Sequence, residues 1–224
     1  FNNKEDLEKY PRNLERDSEM LEKASCTLIF NPLVDEIYTK TDLEMPFEFD
    51  FGGLDKVMEG AFRPNHFNGV VQIVSKLFEL VQPTRAYFGE KDFQQLAIIH
   101  RMVDLMNSDV QIVDCPIVRE TSGLAMSSRN ERLTPEQRKI AANIFKILNE
   151  SSNFVPENSP RELAALIEHK INVVNGLKVE YVEIVDRKTL QIVENWENPA
   201  IICVAVFCGE VRLIDNFKIN VLNC

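Results

Sequence analysis

Several things are missing from this chain of 224 residues, and each absence removes a class of function. There is no surplus of positive charge: 25 Lys and Arg stand against 35 Asp and Glu, a formal charge of −10. That balance argues against nonspecific binding to nucleic acid or an anionic membrane. An anionic ligand would therefore have to be held by a local cationic pocket. No apolar run approaches the roughly 20 residues that span a bilayer, and no signal peptide is visible. The five cysteines (Cys26, Cys115, Cys203, Cys208 and Cys224) are scattered, odd in number and without zinc-site spacing. Two lie inside apolar, strand-like runs, which favours reduced core thiols in a cytoplasmic protein. Internal repeats and low-complexity segments are absent too. What is present, 45% hydrophobic and 27% charged residues, is ordinary for a globular chain of one large or two small domains.

The most informative stretch runs from Tyr87 to Leu96. It begins apolar (Ala86, Tyr87, Phe88), breaks at Gly89 and continues with Leu96, Ile99, Met102, Val103 and Met106 at helical spacing. A strand, a tight glycine turn and a helix starting near Asp92 are expected, the arrangement that receives phosphates in open α/β folds. Lys91 stands at the turn, where its ammonium could reach an anion. Taken alone, this is also the pattern of an ordinary turn with a solvated lysine. A second polar cluster follows Val118-Arg119. It is the small-residue loop Ser122-Gly123-Leu124-Ala125-Met126-Ser127-Ser128-Arg129-Asn130, whose hydroxyls and guanidinium suit a phosphate.

Elsewhere the pattern gives a helix from about Asn13, with Pro11 near its start, and a buried strand Cys26–Phe30 stopped by Asn31-Pro32. The alternation Phe47 to Phe51 reads as a further strand. A short helix from about Leu54 to Gly60 and a long one from Asn68 to Val81 follow, then a strand from Val110 to Val113. Helix alternating with strand across 68–118 predicts a parallel sheet, with ligands beyond the carboxyl ends of its strands. Lys91 and Val118-Arg119 both lie just past such ends, so one cleft is expected to hold both. Downstream come capped helices from Thr134 to about Glu150 and from Ser159 to about Val174. Strands at 179–185, 200–207 and 211–214 complete an α+β pattern. A boundary at 117/118 is expected, with an α/β domain before it and a smaller α+β domain after it.

Three runs taken together resemble one family. They are Arg63-Pro64-Asn65-His66-Phe67-x-Gly69-Val70, Phe88-Gly89-Glu90-Lys91-Asp92-Phe93-Gln94-Gln95-Leu96, and Gly123-Leu124-Ala125-Met126-Ser127-Ser128-Arg129-Asn130. In this order they closely resemble pantothenate synthetase, also called pantoate–β-alanine ligase. The likeness extends through Tyr10-Pro11-Arg12, Glu136-Gln137-Arg138 and Arg212-Leu213-Ile214-Asp215-Asn216, essentially the whole chain. One departure stands out. The family carries a further βα unit with a His-x-Gly-His motif, and none of His66, His100 and His169 lies in such a motif. With no initiating Met, the sequence looks like an N-terminally truncated piece, expected to be inactive alone.

The resemblance implies a Rossmann-like nucleotidyltransferase-type parallel sheet, here without its first βα unit, and a small C-terminal domain acting as a lid. It implies ATP-dependent condensation of pantoate with β-alanine through a pantoyl adenylate, with release of pyrophosphate and AMP. Magnesium would accompany the ATP, and the complete protein would be a homodimer. Lys91, Ser127, Ser128 and Arg129 match phosphate-contacting residues. Gly89 and Asp92 fall at the nucleotide turn, Asp92 holding the ribose, and Val118 offers backbone contacts to adenine. Gln95 matches a pantoate-binding residue, Arg63 and His66 lie near the substrate, and Asp17 matches an acidic position associated with the metal and nucleotide site. Two other readings stay open: a related nucleotidyltransferase, and a noncatalytic fragment.

Overall fold

The computed structural model describes residues 13–38, 49–151 and 157–219. Helix α1 (Leu14–Lys23) starts where Asn13 caps it, the side chain accepting from the amide of Arg16 at 3.0 Å. None of its residues is buried, as its sparse apolar positions predict. The expected strand Cys26–Phe30 is instead an exposed segment without regular structure, with Leu28 81% accessible. An apolar run makes a strand only where a sheet edge receives it, and no described strand pairs with this one. A one-turn helix, α2 (Val34–Ile37), follows.

The alternating segment at 47–51 lies partly outside the described residues, as Tyr10-Pro11-Arg12 does wholly; its described part is irregular. The apolar alternation still has a use. Phe51 is buried, and its ring meets Phe49 edge-on at 5.0 Å. The expected helix at 54–60 arrives later, as α3 (Met58–Phe62). Helix α4 (His66–Val81) then leads to β1 (Arg85–Gly89), a 3₁₀ turn (Glu90–Asp92), α5 (Phe93–Leu105) and β2 (Gln111–Cys115). Strands β1 and β2 pair in parallel, Tyr87 opposite Val113, which is the expected crossover unit. Between α4 and α5 sits a core of Phe67, Val71, Ile98, Ile99 and Met102, with Phe51 closing one end.

Past β2 the chain makes a polar loop and a 3₁₀ segment (Ser128–Arg132). Next come α6 (Pro135–Ala141), α7 (Asn143–Ser151) and α8 (Pro160–Val173). Helices α6 and α8 begin with the capping boxes read from sequence, Thr134 with Gln137 and Ser159 with Glu162. The single helix expected over 134–150 is interrupted at Ala142, where Asn143 donates its side-chain amide to the carbonyl of Ile140 at 2.9 Å. Strands β3 (Leu177–Asp186), β4 (Ala200–Cys208) and β5 (Val211–Ile219) form an antiparallel sheet in sequence order.

That sheet is buried on both faces, which explains why β4 is apolar almost throughout. One face, with Ile184, Ile202, Val204 and Val206, packs on the helices α7 and α8 through Ile144, Leu148, Leu163 and Ile167. The other, with Tyr181, Val185, Ile201 and Ala205, packs on Met58, Val57, Phe93 and Ala97. The second contact joins the parallel unit to the antiparallel one. The polar groups described next lie along its edge.

Candidate active site

A cleft of about 490 Å³ opens between the two units. Lys91 and Asp92 enter it from the turn after β1, and Ser127 and Arg129 from the loop after β2. Glu59 and Arg63 come from α3 and its end, and Glu180, Arg212 and Asp215 from the antiparallel sheet. A smaller cavity of about 30 Å³ adjoins it, sharing Arg63, Lys91 and Asp92 and adding His66 and Gln95. The structure thus brings together Lys91, Asp92, Ser127, Arg129, Arg63, His66 and Gln95 from three separate stretches of chain.

Local geometry explains how each is presented. Asp92 occupies the N-cap position of α5, yet its side chain makes no capping hydrogen bond and stands half exposed at the cleft. The Lys91 ammonium lies 3.7 Å from the Asp92 carboxylate. Gly89 has φ −76°, a conformation open to any residue, so the turn does not require glycine. A Cβ there would meet nothing within 4 Å. Ser127 uses its hydroxyl to accept from the amide of Arg129 at 3.2 Å, which starts the 3₁₀ segment carrying Ser128 and Arg129. Gly123, by contrast, is needed. Its φ is +89°, and a Cβ would come within 2.6 Å of the Phe145 ring.

Other expected residues stand apart. Val118 is exposed and does not line the cleft, and its carbonyl accepts from the amide of Met126 at 2.9 Å. Gly89 and Ser128 also lie off the wall. Asp17 is exposed on α1, a helix whose Arg16 pairs with Glu131 of the 3₁₀ segment at 3.2 Å. Among the described residues no three His, Cys, Asp or Glu side chains gather as a metal site. Glu59, Glu180 and Asp215 are each already paired with an arginine. The described residues therefore supply no cage for a metal. A Mg²⁺ arriving with ATP would draw its oxygens chiefly from phosphates and water.

Sequence reading missed the polar framework under the cleft. Arg119 is not held out for a ligand: its guanidinium forks onto Asp215 at 2.7 and 2.9 Å, donates to the carbonyl of Gly123 and stacks 3.8 Å over Phe145. Arg212 forks onto Glu59 at 2.9 and 2.7 Å and also binds Glu180. The Tyr181 hydroxyl donates to the same Glu59 at 3.0 Å. Burial pushes the Glu59 carboxyl upward, but Arg212, Tyr181 and Arg63 outweigh it and hold it below the ordinary carboxylate range. Burial, with Arg63 adding to it, drives His66 down to about 4, so its ring is neutral near pH 7. The available signal was the Arg212–Asn216 run, polar residues set in an apolar strand.

Fold and cleft together define an α/β enzyme with a densely charged site at a strand-to-helix turn, closed over by an antiparallel sheet. Comparison with known proteins narrows this. The family model for pantoate-beta-alanine ligase matches residues 1–218, and the chain belongs to this family of ATP-dependent ligases, which join pantoate and β-alanine. It is 54% identical over 220 residues to the pantothenate synthetase of Bacteroides fragilis (strain YCH46), covering 97% of this chain and 77% of that protein. To the pantothenate synthetase of Fervidobacterium nodosum it is 45% identical, covering 98% and 78%. Among solved structures, the pantothenate synthetase of Thermus thermophilus superposes with a TM-score of 0.90 at 41% identity, covering 97% of this chain and 79% of that one. The pantoate-beta-alanine ligase of Francisella tularensis, complexed with beta-gamma ATP and beta-alanine, gives a TM-score of 0.80 at 34% identity, covering 97% and 74%. No helix among the described residues is long and apolar enough to cross a membrane.

Proposed function

We propose that the cleft carries out ligation in two steps through a pantoyl adenylate. In the first, a carboxylate oxygen of pantoate attacks the α-phosphorus of ATP and pyrophosphate leaves. In the second, the amine of β-alanine attacks the acyl carbon and loses a proton, and AMP leaves. The first step sets a carboxylate against a polyanion, so it needs preorganised positive charge. Lys91 and Arg129, with the Ser127 hydroxyl, take the phosphates and Asp92 the ribose; Gly89, Val118 and Ser128, which stand off the cleft wall, are assigned to the nucleotide by the family likeness alone. Gln95, in the adjoining cavity with Arg63 and His66, takes pantoate. A neutral His66 serves there as a hydrogen-bonding group and leaves the positive charge to the guanidinium beside it. The second step asks little of an acid or base, because an acyl adenylate is already reactive; positioning and exclusion of water dominate. Mg²⁺ enters with ATP. A division near 117/118, the later part acting as a lid, and a homodimeric assembly complete the proposal.

The observation that carries it is the meeting of Lys91, Ser127 and Arg129, from two loops 36 residues apart, in one cleft. Lys91→Ala in the natural full-length protein is expected to lower pantoate-dependent release of pyrophosphate by at least ~10²-fold, the common effect of deleting one preorganised charge contact. A rate like that of the unchanged protein would overturn the assignment.

A further inference from the structure

Strand β5 alternates between two tasks. Side chains in a strand point to opposite faces in turn. On one face Val211, Leu213, Phe217 and Ile219 pack into the core with α7 and α8. On the opposite face Ile214 joins the apolar contact with Met58 and Tyr181, and the polar residues reach across to the other unit: Arg212 to Glu59, Asn216 to the turn at 90–91, and Lys218 to Glu90. Asn216 is the centre of this row. It is buried, with 4% exposure, and its side-chain amide donates to two main-chain carbonyls, Glu90 at 2.7 Å and Lys91 at 3.0 Å. Those carbonyls belong to the three-residue turn that presents Lys91.

We propose that Asn216 is the positioning residue for Lys91: its amide, with the Lys218–Glu90 ion pair beside it, clamps the turn so that the ammonium faces the cleft. Neither Asn216 nor Lys218 lines the 490 Å³ cleft; Asn216 borders the small adjoining cavity, but its side-chain amide is committed to the two carbonyls of the turn, through which it acts on Lys91. The same strand also anchors the opposite phosphate arm, since Asp215 grips Arg119 at the base of the Ser127–Arg129 loop. Both arms are thereby referred to adjacent residues of one strand. A turn held by two hydrogen bonds and an ion pair keeps its lysine within the small displacement that catalysis tolerates, where 1 Å of misplacement can cost ~10²-fold.

The proposal rests on the reading of Lys91 as a phosphate ligand, and a double-mutant cycle separates the two. Asn216→Asp preserves shape but removes the donors. In the natural full-length protein it should lower pantoate-dependent pyrophosphate release at saturating substrates by about 10- to 100-fold. In a Lys91→Ala background it should change the residual rate by no more than about twofold, because the residue it positions is gone. Equal losses in both backgrounds, or a single variant at the unchanged rate, would overturn the positioning role. An unimpaired Lys91→Ala would instead overturn the reading beneath it, whatever Asn216→Asp does. Should thermal melting show Asn216→Asp unfolded, Lys218→Met decides. It should cost roughly threefold, the scale of a partly exposed ion pair, and nothing in the Lys91→Ala background; a loss that persists there would refute the clamp.

Discussion

Replacing Arg212 by Met would test the polar framework most severely. The guanidinium now serves two carboxylates, Glu59 and Glu180, whose side chains are 10% and 19% exposed. Met removes the charge and keeps an apolar stem of similar reach. Glu59 then retains only the Tyr181 hydroxyl at 3.0 Å and Arg63 at 3.5 Å. Breaking a buried pair from one side costs about 3–5 kcal/mol, because the remaining charge stays desolvated. For a protein of this size that is a fall in melting temperature of roughly 6–20 °C. The pH dependence gives a sharper test. In the unchanged protein the folded-state pKa of Glu59 is depressed, so its contribution is complete above the unfolded value near 4.5 and fades as pH falls through the folded value. In the variant the stranded carboxylate opposes folding above that range and is relieved by protonation below it. The stability gap between the two proteins should therefore be widest at pH 7 and close towards pH 4. Urea denaturation of the natural full-length protein and its variant, followed by circular dichroism at pH 7 and pH 4.5, measures this. A gap below about 1 kcal/mol at pH 7, within the range of an exposed ion pair, or one that does not narrow in acid, would refute the reasoning.

Two further outcomes are expected. Gln95→Ala should raise the KM for pantoate more than that for ATP, while Ser127→Ala and Arg129→Ala should do the reverse; equal shifts would make Gln95 a structural residue only. The His66 ring should titrate with a midpoint near 4 by NMR. Its folded value is depressed, so its stabilisation is complete above the unfolded value near 6.5 and is lost as pH falls through about 4. A midpoint above 6 would contradict its burial beside Arg63.

How much of this could be read from the sequence follows from the range of the interactions involved. The capping boxes at Thr134 and Ser159 are satisfied within four residues, so the sequence shows them outright. The crossover unit was legible because the periods of α5 and β1 are local. The burial of Phe51 was legible for the same reason, although the described part of that alternating run, 49–51, is irregular. The run Cys26–Phe30 misled because strand and exposed segment have the same composition until a partner edge is known. In β5 the reading stopped at Ile214, one residue before the Asp215–Asn216 pair. The strand continues to Ile219 because β4 pairs with it to the end, Ala200 opposite Ile219. Arg119 was expected to share a cleft with Lys91 because both lie just past strand ends, yet it does not line that cleft. Its actual partner, Asp215, lies 96 residues away.

Because the cleft draws its walls from both units, ligand affinity and the holding together of those units are one equilibrium viewed from two ends. A molecule that binds only the closed arrangement adds RT ln(1 + [L]/Kd) to its persistence, about 2.7 kcal/mol at a hundred times Kd. The apolar joint of Met58, Tyr181 and Ile201 supplies the resting adhesion, and an occupied cleft reinforces it. Under the proposed function, nucleotide and acyl substrate are mechanical members of the molecule as well as its cargo. Proteases that cut at a transient gap between the units should be slowed in proportion to occupancy, by ligands that touch neither the cut site nor the joint.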